Sequence, residues 1–240
     1  GIIKSFGVIK SAVKLAGSEL GRKGGNAAEE SVERTQRDIT MKRVVFGVII
    51  ALLAVFAFFA FGGVVGNIWQ ALVGLLIVTV IAFLFTTVAA NAIAIVGTNP
   101  VSGMTIMTLI ITALVLVACG LSGNAGMVAA LLIGGVVCTA LSTAGGFITD
   151  LKIGYWIGTT PAKQETWKFL GVLVAAATVA GVVIILDKTY GFAGDNALVA
   201  PQANAMAAVI QPMMEGGGAP WLMYGIGALI AVLLTVFKVP

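Results

Sequence analysis

Long apolar runs almost free of charge constrain this chain more than any other feature. Val44–Phe61, Trp69–Val96, Thr105–Cys119, Met127–Ile148, Phe169–Leu186 and Trp221–Phe237 are nearly continuous stretches of aliphatic and aromatic residues. A helix rising about 1.5 Å per residue needs about 20 such residues to cross roughly 30 Å of hydrocarbon. The third run is short unless Val101–Met104 belong to it. The alternating pattern of membrane-barrel strands is missing. With 59% hydrophobic and 10% charged residues, the chain has too little polar surface for a water-coated globule. The expected fold is all-α: a polytopic transmembrane helical bundle with about six membrane helices.

Charge sets the expected orientation. Residues 1–43 carry Lys4, Lys10, Lys14, Arg22, Lys23, Arg34, Arg37, Lys42 and Arg43 against Glu19, Glu29, Glu30, Glu33 and Asp38, which accounts for the whole formal net charge of +4. Placing this segment in the cytoplasm puts Lys152, Lys163, Lys168 and Lys238 on the same side and leaves only Lys188 outside, as the positive-inside rule requires. Residues 1–43 then form a cytoplasmic connector and 44–240 the membrane domain. Ile2, Ile3, Phe6, Ile9, Val13 and Leu15 recur near helical spacing beside lysines, so the first turns suit an amphipathic helix on an anionic membrane surface. Gly21–Asn26 breaks that helix, and Ala27–Thr40 reads as a second, charged one. Mixed signs make no basic stripe, so nucleic acid is not an expected partner.

Three interruptions stand out against the apolar background. Gly97-Thr98-Asn99-Pro100-Val101-Ser102-Gly103 splits a very long apolar region; proline removes a backbone donor, and the freed backbone groups suit either a plain turn or a binding site of the kind that broken helices build in transporters. Ser102, Thr105 and Thr108 extend this polarity along the next helix. Asn196–Met214 is apolar but punctuated by Pro201 and Pro212, and reads as a re-entrant or broken-helix segment or a loop helix, with Gln202, Asn204 and Gln211 in need of partners. Gly216–Gly218 supplies a hinge after it.

The third interruption, Gly145–Phe169 (GGFITDLKIGYWIGTTPAKQETWKF), concentrates charge, amide, hydroxyl, glycine and proline between two apolar runs. It reads as a loop at the cytoplasmic end that folds back on the bundle, with Tyr155 and Trp156 at headgroup level. Asp150 and Lys152 suit either an interfacial pair or a gate. Small residues such as Gly62/Gly66, Gly134/Gly135 and Gly154/Gly158 are packing devices that let helices approach. Cys119 and Cys138 sit in apolar runs as packing residues, and with no histidine the chain cannot supply a His-based zinc site or a Ser-His-Asp triad. No catalytic residue, metal site or cofactor is expected. An intramembrane enzyme using Asp150 with Lys152 or Glu165 is disfavoured, because no second carboxylate lies within an apolar run.

DLKIGYWIGTTPAKQ at Asp150–Gln164 resembles the Asp-Leu-Lys-Thr-Gly-Tyr…Gly…Thr-Pro…Gln signature of the oligopeptide transporter (OPT) family, which includes the yellow-stripe-like metal–chelate carriers. NPVSGMTIMTLI at Asn99–Ile110 resembles a second stretch of that family, and WLMYGIGALIAVLLTVFKVP at Trp221–Pro240 the helix leading to its Lys-hydrophobic-Pro segment. Ile153 stands where the family usually has threonine. Family members are longer, with two related halves, so the resemblance implies part of a C-terminal half whose partners include the remainder of the transporter or a second copy.

The resemblance implies secondary active uptake, proton-coupled, of oligopeptides or metal–chelate complexes. Asn99, Pro100, Ser102, Gly103, Thr105, Gln202 and Asn204 are the expected pathway residues; Asp150, Lys152, Tyr155, Gln164 and Glu215 are the expected gate or coupling residues. The expected location is a bacterial or archaeal inner membrane. A channel-like or structural membrane subunit, or a transporter of another family, is the alternative.

Overall fold

The computed structural model describes residues 6–21, 33–97, 101–192, 194, 200–216 and 221–237. Eight α-helices and one short 3-10 turn make up the described residues: α1 (Phe6–Gly21), the turn Arg34–Gln36, α2 (Met41–Phe61), α3 (Ile68–Val96), α4 (Val101–Ala118), α5 (Gly123–Ile157), α6 (Pro161–Tyr190), α7 (Pro201–Met214) and α8 (Trp221–Val236). Four stretches, Arg34–Phe61, Ile68–Ile95, Gly123–Ile157 and Pro161–Tyr190, are long and apolar enough to cross a membrane. Each of the six expected apolar runs lies in a helix, save Cys119 and Phe237 at the ends of two of them. Val101–Met104 do belong to α4, which brings it to 18 residues.

The core forms where α3, α4 and α5 pack on one another. Their buried positions recur every three or four residues: Ala71, Ile77, Val78, Ile81 and Phe85 on α3, Leu109, Ala113 and Leu116 on α4, and Ala129, Ala130, Ile133, Val137 and Leu141 on α5. That spacing puts each set on one helical face. Glycines set the distance of approach. A Cβ on Gly74 of α3 would come within 3.1 Å of Ile133 Cδ1, and one on Gly134 of α5 would overlap the buried Leu109 side chain. Dispersion contact between close backbones replaces the hydrophobic drive that lipid cannot supply.

The other helices attach around this trio. α2 contributes the fully buried Phe59, and α1 docks on α3 and α2 with Ile9 buried. α1 ends at Gly21, the first glycine of the expected break. Most large apolar side chains of α2, α6 and α8 face outward, as a bundle surrounded by lipid requires.

Two readings need correction. Within the described part of Ala27–Thr40, residues 33–40 form the 3-10 turn and an extended stretch, not a charged α-helix. The reason is tertiary: backbone groups that a helix would satisfy internally bond to α6 instead. Ala162 N–H donates to Arg37 O at 2.9 Å, and Ile39 N–H donates to Glu165 Oε2 at 3.2 Å. Second, Gly145–Phe169 is no folded-back loop, because α5 runs on to Ile157 and α6 begins at Pro161. Pro201–Met214 takes the loop-helix form, uninterrupted, with Pro201 in its first turn and Pro212 in its last. At 14 residues it is about 21 Å long, short of a crossing.

Candidate functional site

The sequence Gly158-Thr159-Thr160-Pro161 is a helix stop followed at once by a helix start. Gly158 takes the left-handed conformation (φ 75°), Thr159 N–H reaches back to Gly154 O at 2.9 Å and Gly158 N–H to Tyr155 O at 3.3 Å, closing a Schellman cap. Pro161 then opens α6, where its missing N–H and fixed φ are harmless. The result is a three-residue corner between antiparallel helices.

Side chains lock this corner. Gln164 Nε2 donates to Asp150 O at 2.6 Å across the two helices, and Thr159 Oγ1 bonds Gln164 Oε1 at 3.3 Å. Gly154 makes room for both, since a Cβ there would overlap Gln164 Oε1 and stand 2.6 Å from Thr159 Oγ1. Lys168 pairs with the Asp150 carboxylate, while Lys152 lies 5.7 Å from the centroid of the Trp156 ring, worth about 0.5–1 kcal/mol at an exposed site. Tyr155 is exposed and takes no part in the lock.

The connector clasps the same corner from outside. Arg34 Nη2 donates to Gly158 O at 3.0 Å, one turn before the Arg37 and Ile39 backbone contacts with α6. Three successive contacts thus tie residues 34–39 to residues 158–165. Long-range clasps of this kind leave no periodicity in the sequence.

A second polar element lies within the apolar core. Thr105, Thr108 and Thr112 are all buried, on the face of α4 that also carries Leu109, Ala113 and Leu116. Thr108 Oγ1 donates to Met104 O at 2.8 Å. Thr112 Oγ1, and Gln70 Oε1 on α3, are buried without a hydrogen-bond partner among the described residues. Thr112 continues the Thr105–Thr108 spacing by one more turn, so the signal was present in the sequence.

Asp150, Lys152, Tyr155 and Gln164 therefore share one end of the bundle. Glu215 does not join them: it accepts a hydrogen bond from Gln211 at 3.0 Å near the start of α5, where Met214 packs over Gly126. Gly126 and Gly154 are about 42 Å apart along α5. Gln202 and Asn204 are exposed on α7, whose buried face is Ile210, Met213 and Met214. Gly97 ends α3 in a left-handed cap (φ 78°), Gly103 lies exposed within α4, and Asn99 and Pro100 lie outside the described residues. Ser102 is in the first turn of α4. Among the described residues no cluster of three or more His, Cys, Asp or Glu could hold a metal.

The family model "OPT oligopeptide transporter protein" matches residues 2–240. A protein of Haemophilus influenzae named as an oligopeptide transporter is 29% identical over 243 residues, covering 89% of this chain and 38% of the relative. The chain thus spans well under half the length of that relative. No solved structure matches it.

Proposed function

Because the chain belongs to the OPT oligopeptide transporter family, we propose that it forms part of a secondary active transporter that couples the proton gradient to uptake of oligopeptides or metal–chelate complexes. It is an integral membrane protein, and the orientation we assign puts residues 1–43 in the cytoplasm of a bacterial or archaeal cell and residues 44–240 in the inner membrane. The thirteen cations on one side against Lys188 on the other support that orientation.

The observation that carries the pathway is the hydroxyl face of α4. Three buried threonines and Gln70 bring polar atoms into a core otherwise built of Ala, Val, Ile, Leu, Phe and Met. Buried polar atoms in a membrane are expensive, and retaining them suits a route for a polar cargo such as a peptide backbone. Thr105 and Thr108 extend that route from the interruption that holds Asn99, Pro100, Ser102 and Gly103. Gln202 and Asn204, exposed on α7, would meet cargo at its opposite end. Asp150 with Lys168, Gln164 and the connector form the gate at the cytoplasmic rim, where Lys152 and Tyr155 border it; either Asp150 or Glu215 takes the coupling proton.

The test is reconstitution of the whole transporter in liposomes with an imposed proton gradient. Accumulation of di- to pentapeptides or metal chelates that collapses with the gradient is the expected result, and failure to accumulate either class overturns the reading. Thr112→Val sharpens it. Valine keeps the shape and removes an unpartnered hydroxyl, so thermal stability is expected to hold or rise by up to about 1 kcal/mol. Uptake is expected to fall several-fold, and unchanged uptake would make Thr112 a packing residue only.

A further inference from the structure

The corner and its clasp border an open cavity of ≈ 460 Å³ lined by Arg34, Thr159, Thr160, Lys163, Gln164 and Trp167. Among the described residues, two cations, two hydroxyls, an amide and an indole line it, and no carboxylate does. Two of the acids nearby are engaged elsewhere: Asp150 pairs with Lys168, and Glu165 accepts the Ile39 N–H. Among residues 33–43 and 150–168, seven cations (Arg34, Arg37, Lys42, Arg43, Lys152, Lys163, Lys168) face four acids (Glu33, Asp38, Asp150, Glu165). Lys163 has no partner among the described residues, and Arg34 spends one N–H on Gly158 O. The Thr160 hydroxyl does not cap α6. The cavity is an open cradle, largely apolar in its exposed lining, with two cations among its residues.

Its place at the ends of two helices long enough to cross suits a lipid headgroup. The corner joins the ends of two helices long enough to cross, and Trp167, 69% exposed, stands at its edge, the level at which tryptophan anchors proteins in the headgroup layer. Below it α6 presents Leu170, Leu173 and Val174 to lipid. A phosphate in the cradle would therefore have apolar surface directly beneath for attached acyl chains. Guanidinium binds phosphate oxygens through a planar fork and the ammonium adds a point charge.

We propose that this cavity is a binding site for an anionic phospholipid, its phosphate held between Arg34 and Lys163 and its acyl chains lying along α6. The site requires only that α5 and α6 cross the bilayer, and it stands whatever the transported cargo is. Because the same residues clasp the corner, a bound headgroup would bridge connector and α6.

The experiment is native mass spectrometry of the chain released from nanodiscs of equal phosphatidylglycerol and phosphatidylcholine. Retention of phosphatidylglycerol over phosphatidylcholine is expected. Lys163→Gln should lower that retention about fivefold, the equivalent of roughly 1 kcal/mol for one cation at an anionic surface. Lys152→Gln removes an equal charge at the same rim but outside the cavity, and should lower retention clearly less than Lys163→Gln does. Arg34→Gln should act as Lys163→Gln does, although it also removes the bond to Gly158 O; Lys163→Gln, on an exposed side chain, is the deciding variant. Equal retention of the two lipids, or equal loss in the Lys152 and Lys163 variants, overturns the proposal. Displacement of the lipid by excess inorganic phosphate alone would assign the cradle to a free anion instead.

Discussion

Gly134→Leu is expected to yield almost no folded protein, while Gly135→Leu, one residue away, is expected to fold and migrate like the parent. The two glycines are chemically identical and lie in the same turn of α5. Gly134 is buried against Leu109, itself 1% exposed and hemmed in by the core, whereas a Cβ on Gly135 would meet nothing within 4 Å. Even Gly134→Ala should cost about 1–3 kcal/mol, the range for overpacking a well-filled core. Leucine adds three more carbons to a space that lacks room for one. Since α4 and α5 are held together through this contact, separating them also strips α7 of its seat. Size-exclusion profiles in detergent and melting curves of the two leucine variants check the pair. Similar profiles for both would show that the α4–α5 contact does not have this geometry.

Gly154→Ala is expected to loosen the α5–α6 corner, and Gln164→Ala in the same chain is expected to remove most of that effect. The added methyl collides with the far end of the Gln164 side chain, which can swing away only by giving up Asp150 O and Thr159. Shortening Gln164 loses the same bonds from the outset, so the second substitution has little left to break. A double-mutant cycle should return a coupling of about 1–2 kcal/mol, within the range for residues in direct contact. Cleavage by a protease at Gly158–Thr160 reads the loosening directly. Additive effects would mean that the glycine serves something other than Gln164. Under the transport reading, uptake by the whole protein should drop in the Gly154→Ala variant and partly return in the double variant.

The membrane helices were legible because their signal is long-range and redundant. A run such as Trp69–Val96 survives an uncertain residue or two at either end, and α3 covers it almost entire. The corner was harder. Asp150, Lys152 and Gly154 looked like loop residues, yet nothing among them prevents a helix from continuing beyond the hydrocarbon, and α5 does so until Gly158. Gly154 was read as a small packing residue, which it is, but the partner across the gap could not be inferred from spacing. The charged segment before α2 failed for a different reason. Its helical propensity lost to hydrogen bonds supplied by residues more than a hundred positions away in the chain. Gln164 is singled out by family resemblance, and only its bond to Asp150 O across the corner gives it a task. Arg34 was counted as one of nine early cations, with nothing local to mark it as the one that reaches the corner.

No side chain of α6 is buried, although the helix runs for 30 residues. Its described attachments are to α5 and to residues 34–39, all toward the end where α5 and α6 meet in three residues. Mechanically that is a lever fixed at its fulcrum. With an arm of about 45 Å, a tilt of only about 10° at Gly158 would carry the far tip through about 8 Å, from the rise per residue alone. Within this chain, no described residue packs on the arm closely enough to bury any of its side chains. Whatever seats itself against α6 would thus feel small adjustments at the corner greatly magnified, and the clasp formed by residues 34–39 sits where such a lever is most cheaply held still.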